Sequence, residues 1–316
     1  MCTAIAICNK EFYFGRNMDI EGRFGEHIVT VPRRYPFFFR RAGDMICHYA
    51  MVGTAAVVEG YPLFADAMNE KGLCMAGLSF PGNAVYGEVR EDDVFQISPF
   101  ELIPWVLGRC SSVGEARQLL EKTRVVSIAF SENLDLTPLH WCVADKSGSL
   151  VIEPTEQGLM LYEDPVGVLT NNPTFPAHLA DVDAYGNLSP CSPGARISEE
   201  AGYFSLGLGG VGLPGDYSSR SRFVRAAFLK KHLQEETERE GRIAQVFQLL
   251  TTVAPPRGVV LDDNGLAHYT TYSCCMCGDD LTYYHRATER LCPLAVVLDE
   301  TTMEGDMLKA VKLEGG

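Results

Sequence analysis

Strand-like and helix-like segments follow one another in blocks along this chain and do not alternate. "CTAIAIC" reads as a strand, "NKE" as a turn and "FYFGRNMD" as a second strand running into a loop, together a hairpin. "HIVTVPR", "YAMVGTAAVV" and "GLCMAGLSF" follow as strands, the last behind a turn at Asn69–Gly72. "SPFELIPWVLGRC" then spaces its apolar residues helically, and Ser112 with Glu115 forms a capping-box pattern opening "EARQLLEKT". Strands return in "LHWCVADKSGSLVIEPT", a hairpin around Asp145–Gly148, with "GLMLYED" and "VGVLTN" extending the same sheet. Residues 220–240 read as one amphipathic helix and "AQVFQLLTTV" as another. "AHYTTYSCCMC", "LTYYHRAT" and "PLAVVLD" close the chain as strands. A βαβα alternation would dictate a parallel sheet. The block order predicts α+β instead, with packed antiparallel sheets flanked by helices. No repeat, low-complexity tract or linker divides the chain, so a single domain over 2–316 is expected.

The composition excludes several functions. With 316 residues, 46% hydrophobic and 22% charged, the chain can bury a large core without staples. A formal charge of -14 repels phosphate backbones, which disfavours nucleic acid as a partner. Ala4–Ile7 is too short for a signal-peptide core, and no run of about 18 apolar residues exists to span a membrane. Eleven cysteines, an odd number, read as reduced thiols in a cytoplasmic enzyme.

One cysteine is placed for chemistry. Cys2 lies directly behind Met1. Were Met1 removed, the thiol would sit a few bonds from its own α-amine, whose pKa is about 7.7–8.0 against about 10.4 for lysine. That amine is neutral often enough to take the thiol proton, so one residue supplies nucleophile and base. The bland alternative is an inert strand residue, as Cys8 is read to be. Arg16 and Asp19, expected just past the second strand of the hairpin, tip the balance. The hairpin returns them to the N-terminus, where a cation favours the thiolate and a carboxylate can hold the amine. The alternative for them is a structural ion pair at a strand end.

Taken together, "MCTAIAI", "FGRNMD", "NEKGLCMAGLSFPG", "SPFELIPWVLG", "PLHWCVAD", "GVLTNNPTF" and "GLPGDYSSRSRFVRAAF" resemble the choloylglycine hydrolases. These N-terminal-nucleophile hydrolases include bile salt hydrolases and penicillin V acylases. The resemblance runs from Cys2 to about Pro293, in the family's order. It implies a four-layer αββα sandwich that hydrolyses an unstrained amide without a cofactor or metal. By the resemblance, Cys2 is the nucleophile, Arg16 and Asp19 are the charged pair beside it, Asn171 donates to the oxyanion, and Arg222 is the second active-site arginine. The remaining oxyanion donor falls in "AGLSF". There Ser79 stands where bile salt hydrolases usually have asparagine and penicillin V acylases tyrosine. If the donor is the backbone N–H, the oxyanion hole survives the change, and substrate preference is the property affected. The resemblance also places Met18, Ala65, Phe130, Leu134 and Leu139 around an apolar acyl pocket, ordinary core packing being the alternative for each.

The implied reaction is two-step acyl transfer from a glycine- or taurine-conjugated bile acid, with an amino acid able to intercept the thioester in reverse. "NEKGL", "PWVLG" and "LPGD" favour the bile salt branch, and Ser79 keeps penicillin V acylase or another N-acyl amide hydrolase as the rival. A non-enzymatic thiol or metal protein is a weaker rival, because "CCMC" (Cys274, Cys275, Cys277) lacks the second ligand pair of a structural zinc site. His140 reads as structural. The glycine-rich "GLGGVGLPGD" lacks the setting of a dinucleotide or phosphate loop and reads as a loop near the site. The family's setting further implies a gut-bacterial homotetramer.

Overall fold

A computed structural model describes residues 1–193 and 206–313. Alternation along its strands sorts the buried side chains into two cores. In Leu139–Asp145, Cys142 and Ala144 face one core, and Trp141 and Val143 the other. In Gly148–Thr155, Val151 faces the first, and Leu150 and Ile152 the second. This is the period of two that a sheet buried on both faces requires.

The six-stranded sheet runs, edge to edge, Val168–Leu169, Cys2–Cys8, Phe12–Ile20, Tyr269–Cys277, Thr282–Ala287 and Leu294–Val297. The eight-stranded sheet runs Gly158–Glu163, Gly148–Thr155, Leu139–Asp145, Cys74–Ser79, Tyr61–Asn69, Met51–Val58, Glu26–Val31 and Lys309–Val311. Pairing within both is antiparallel, as in the hairpin registers Cys2↔Met18 and Trp141↔Ile152. The first core lies between the sheets and continues to the helices Ser219–His232 and Arg239–Thr252, beyond the six-stranded sheet. The second lies under the helices Leu102–Arg109 and Val113–Leu120, beyond the eight-stranded sheet. The result is the expected four-layer αββα sandwich.

Gly15 lets the helix Arg239–Thr252 sit directly on the strand that carries Arg16. A Cβ at Gly15 would lie 2.7 Å from Val246 Cγ1 and 3.1 Å from Leu250 Cδ1. On the same face Asn17 Nδ2 donates to the Leu250 carbonyl at 2.8 Å.

Three details differ from the sequence reading. "VGVLTN" does not extend the sheet of the preceding hairpin. Val168–Leu169 crosses to the other sheet and pairs with the N-terminal strand, Ala4 opposite Leu169. That strand's open edge needs hydrogen-bond partners, and the crossing satisfies it. The helix predicted over 220–240 stops at His232 and a new one starts at Arg239, because "QEETERE" offers no apolar residue to continue the stripe. The capping box at Ser112 is half formed. Ser112 Oγ accepts from Glu115 N at 3.3 Å, but the Glu115 carboxylate turns to Ser111 N and Oγ, at 2.7 and 2.9 Å. Cys274, Cys275 and Cys277 are buried strand thiols, and burial pushes all three up.

His285 is fully buried, stacks on Tyr272 at 4.6 Å, and has no hydrogen-bond partner for either ring nitrogen among the described residues. Burial pushes its pKa down to about 4 from 6.5. Between those values the unfolded chain binds a proton that the folded chain does not, so stability falls as pH drops through the window. His285→Phe keeps a ring against Tyr272 and removes that titration. The variant should retain on the order of 3 kcal/mol more stability than the parent near pH 4, relative to their difference at pH 7. Urea midpoints at the two pH values check this, and equal pH slopes for both proteins would contradict it.

Candidate active site

Cys2 opens the N-terminal strand opposite Met18 and is buried. Its thiol receives Arg16 Nη2 at 3.1 Å and lies 3.8 Å from Met18 Sδ. The other arm of Arg16, Nη1, donates to the Ala65 carbonyl at 3.1 Å and to Asp66 Oδ2 at 3.2 Å. Burial works against the Arg16 charge, but the acidic groups Tyr272, Cys2 and Asp66 outweigh it and hold the guanidinium protonated.

Arg16 and Asp19 are not a pair at a strand end. Both lie inside the strand Phe12–Ile20, and three residues apart in a strand means opposite faces. Arg16 points between the sheets, where its carboxylate partner is Asp66. Asp19 points toward the helices. Its Oδ1 accepts from Thr270 Oγ1 at 2.6 Å, and its Oδ2 lies 3.9 Å from Arg222 Nη1 with no hydrogen bond among the described residues. Burial raises the Asp19 pKa, opposed by Arg222 and Thr270. Burial likewise lowers that of Arg222, opposed by Asp19 and Cys2.

Arg222 and Asn171 hold the backbone of Cys2. Arg222 Nη1 donates to the Cys2 carbonyl at 2.5 Å and to Thr3 Oγ1 at 2.7 Å, and Nε donates to the Tyr217 carbonyl at 3.0 Å. Its Nη2 donates to Asn171 Oδ1 at 2.7 Å, which also accepts the Cys2 N–H at 2.9 Å. Asn171 Nδ2 donates to the Ser79 carbonyl at 2.7 Å. A donor-only guanidinium on one side and an acceptor-only carbonyl on the other fix which way this amide faces. Among the described residues Nδ2 makes one hydrogen bond, the one to the Ser79 carbonyl. The strand crossing that precedes Val168 delivers Asn171 here. His178 Nε2 bonds the Asn171 carbonyl at 2.8 Å and is held neutral by burial, its pKa down to about 4.

Met18 brings its sulfur to Cys2, and Ala65 and Ser79 reach the site through their carbonyls. Leu139 lies opposite Ser79 in register, but its side chain packs against the second core, on the far face of the eight-stranded sheet. Phe130 packs against Tyr61 and Phe100 with Arg40 over its ring, and Leu134 is 41% exposed. Among the described residues, no hydrogen bond or ring contact joins either of them to Cys2. His140 is buried, stacked on Phe80 at 4.2 Å and bonded to the Thr170 carbonyl at 3.0 Å, a structural place.

Sequence reasoning missed Asp66, Thr270, Tyr272 and Tyr283. The available signal was a carboxylate in the apolar run "LFADAMN", since a buried charge needs a partner.

Two face-to-face antiparallel sheets between helical layers, with a cysteine opening a central strand, define the fold class of the N-terminal-nucleophile hydrolases. The sequence profile "Linear amide C-N hydrolases, choloylglycine hydrolase family" matches residues 2–311, and the chain belongs to that family. It is 48% identical over 288 residues to a bile salt hydrolase/transferase of Lactiplantibacillus plantarum, covering 90% of this chain and 89% of that protein. The C2A mutant of the conjugated bile acid hydrolase from Clostridium perfringens superposes with a TM-score of 0.92 at 33% identity, covering 99% of this chain and 97% of that one. The penicillin V acylase from Agrobacterium tumefaciens shares the fold, with a TM-score of 0.78 at 20% identity over 98% of this chain and 90% of that one. Among the described residues no helix is long and apolar enough to cross a membrane.

Proposed function

We propose that this enzyme hydrolyses the amide of glycine- or taurine-conjugated bile acids through an N-terminal cysteine. The observation that carries the reading is the convergence on one residue: Arg16 on the Cys2 thiol, and Asn171 with Arg222 on the Cys2 backbone. The names of the relatives support the substrate.

Loss of Met1 turns the Cys2 N–H into an α-amine. Asn171 Oδ1 already accepts from that nitrogen, and Asp19 Oδ2 is a buried acceptor in need of a donor. The amine takes the thiol proton, and the thiolate attacks the amide carbon. The oxyanion is held by Asn171 Nδ2 and a backbone N–H at Ser79. As the C–N bond breaks, the α-ammonium returns its proton to the departing glycine or taurine nitrogen. Water, deprotonated by the same amine, cleaves the thioester and releases the bile acid. An amino acid entering in place of water forms a new amide, which gives the transferase direction.

Glycocholate, taurocholate and penicillin V assayed side by side test the substrate. The bile salts should be turned over faster, and a protein acting only on penicillin V would overturn the reading. We further propose one domain over 2–316, acting in the cytoplasm of a gut bacterium as a homotetramer without cofactor. That span includes 194–205 and 314–316, outside the described residues. The eleven free thiols suit a reducing compartment.

A further inference from the structure

Behind Arg16 sits a carboxylate wholly inside the sandwich. Asp66 belongs to the strand Tyr61–Asn69 of the eight-stranded sheet, yet its partners come from the six-stranded sheet. Its Oδ2 accepts from Arg16 Nη1 at 3.2 Å and Tyr272 OH at 2.6 Å. Its Oδ1 accepts from Tyr283 OH at 2.5 Å and, at longer range, Cys274 Sγ at 3.6 Å. Thr54 Oγ1 meets Tyr283 OH at 2.6 Å. Asp66, Arg16, Tyr272, Tyr283 and Cys274 are each no more than 1% exposed. An ionised carboxylate has about four acceptor sites, and these donors fill them.

The counterpart is how Arg16 distributes its own donors. Nη1 is tied to Asp66 and the Ala65 carbonyl, while Nη2 faces the two sulfurs, Cys2 Sγ at 3.1 Å and Met18 Sδ at 3.4 Å. The guanidinium is a rigid fork, so anchoring one arm aims the other.

We propose that Asp66 is a positioning residue for the nucleophile: it fixes Arg16 toward the Cys2 thiol and supplies the counter-charge that keeps the thiolate reactive. The proposal rests on Cys2 being the nucleophile. A guanidinium without Asp66 would be a buried, uncompensated cation, and the Cys2 thiolate would become its neutralising partner. A thiolate held that way attacks more slowly, because nucleophilicity falls with basicity, and it leaves the tetrahedral intermediate more readily. With Asp66 present, Arg16 is already compensated while Cys2 is protonated. The thiolate then forms when the α-amine takes its proton.

The charged and titratable groups around this pair come from every neighbouring element. Arg16, Tyr272, Cys274 and Tyr283 touch Asp66, and Cys74 and His285 feel its charge. Arg222 and Asp19 flank Cys2 from the helix side.

Asp66→Asn removes the charge and keeps the shape. Asp66→Thr keeps the volume and an acceptor oxygen, and takes its place should the first fail to fold. Cys2 alkylation by iodoacetamide is followed against pH by peptide mapping, without bile salt, with exposed Cys8 and Cys47 as internal references and buried Cys74 and Cys142 reporting a loosened core. The expected result is a midpoint for Cys2 labelling about one pH unit or more below that of the parent. The plateau rates of labelling and of glycocholate turnover should fall about threefold, with KM unchanged and Cys74 and Cys142 still protected. A midpoint that stays in place or rises in the folded variant overturns the proposal. Because labelling needs no substrate, a parent protein that ignores bile salts would refute the substrate reading and leave the role of Asp66 readable.

Discussion

Cys2→Ala is expected to leave a folded protein with no measurable amide hydrolysis, a loss on the order of 10⁴-fold or more. The fold should survive because the side chain is small and its polar contacts are few. The Cys2 backbone, which the strand pairing, Asn171 and Arg222 hold, is unchanged by the substitution. The activity should not survive, because no other cysteine substitutes for the lost thiol. Cys74, Cys142 and Cys274 are buried thiols that burial keeps protonated, and Cys8 lies at the far end of the strand, against the Lys146 carbonyl. Hydrolysis rates on glycocholate and the melting curve check both halves. Residual activity within tenfold of the parent would remove Cys2 from the mechanism.

The second large effect is on stability. Arg222→Met keeps the length of the side chain and removes a buried cation that bonds the Cys2 carbonyl, Thr3, Asn171 and the Tyr217 carbonyl, and that faces Asp19 at 3.9 Å. Asp19 is left buried without its compensating charge, and the expected loss is about 3–5 kcal/mol. The loss has a sign in pH. Burial already raises the folded-state pKa of Asp19, and removing Arg222 raises it further. A carboxyl group with a raised folded pKa binds more protons folded than unfolded above its ordinary value, so the variant loses more stability as pH rises through that window. The difference in urea midpoint between parent and variant should therefore narrow at acidic pH. A difference that is small, or that widens with acid, would contradict this account of the Asp19–Arg222 pair.

The parts of the molecule that were legible in the sequence are those written locally. The hairpin of Cys2–Cys8 and Phe12–Ile20 shows in its alternation and its turn, and the helix Leu102–Arg109 shows in its spacing. The helix beginning at Arg239 was legible through Val246, Phe247, Leu249 and Leu250, although its start was misplaced. Arg16 and Asp19 are legible as residues but not in their roles, because nothing in "GRNMD" marks the strand as continuing to Ile20, and only that continuation sets them on opposite faces. Asn171 was found only through likeness to the family. It reaches Cys2 because Val168–Leu169 changes sheets, and no pattern in "VGVLTNN" records which strand it will join. Asp66 was out of reach for the same reason. Its partners Arg16, Tyr272 and Tyr283 are 50, 206 and 217 positions away along the chain, and only the packing of the two sheets brings them together.

The central claim is that Cys2 becomes the first residue and acts there, and the mass of the intact protein tests it most directly. The mass should be one methionine short of the full sequence. Brief iodoacetamide treatment should then label the Cys2 peptide in step with the loss of glycocholate hydrolysis. A protein that keeps Met1 and still hydrolyses the amide would contradict the account.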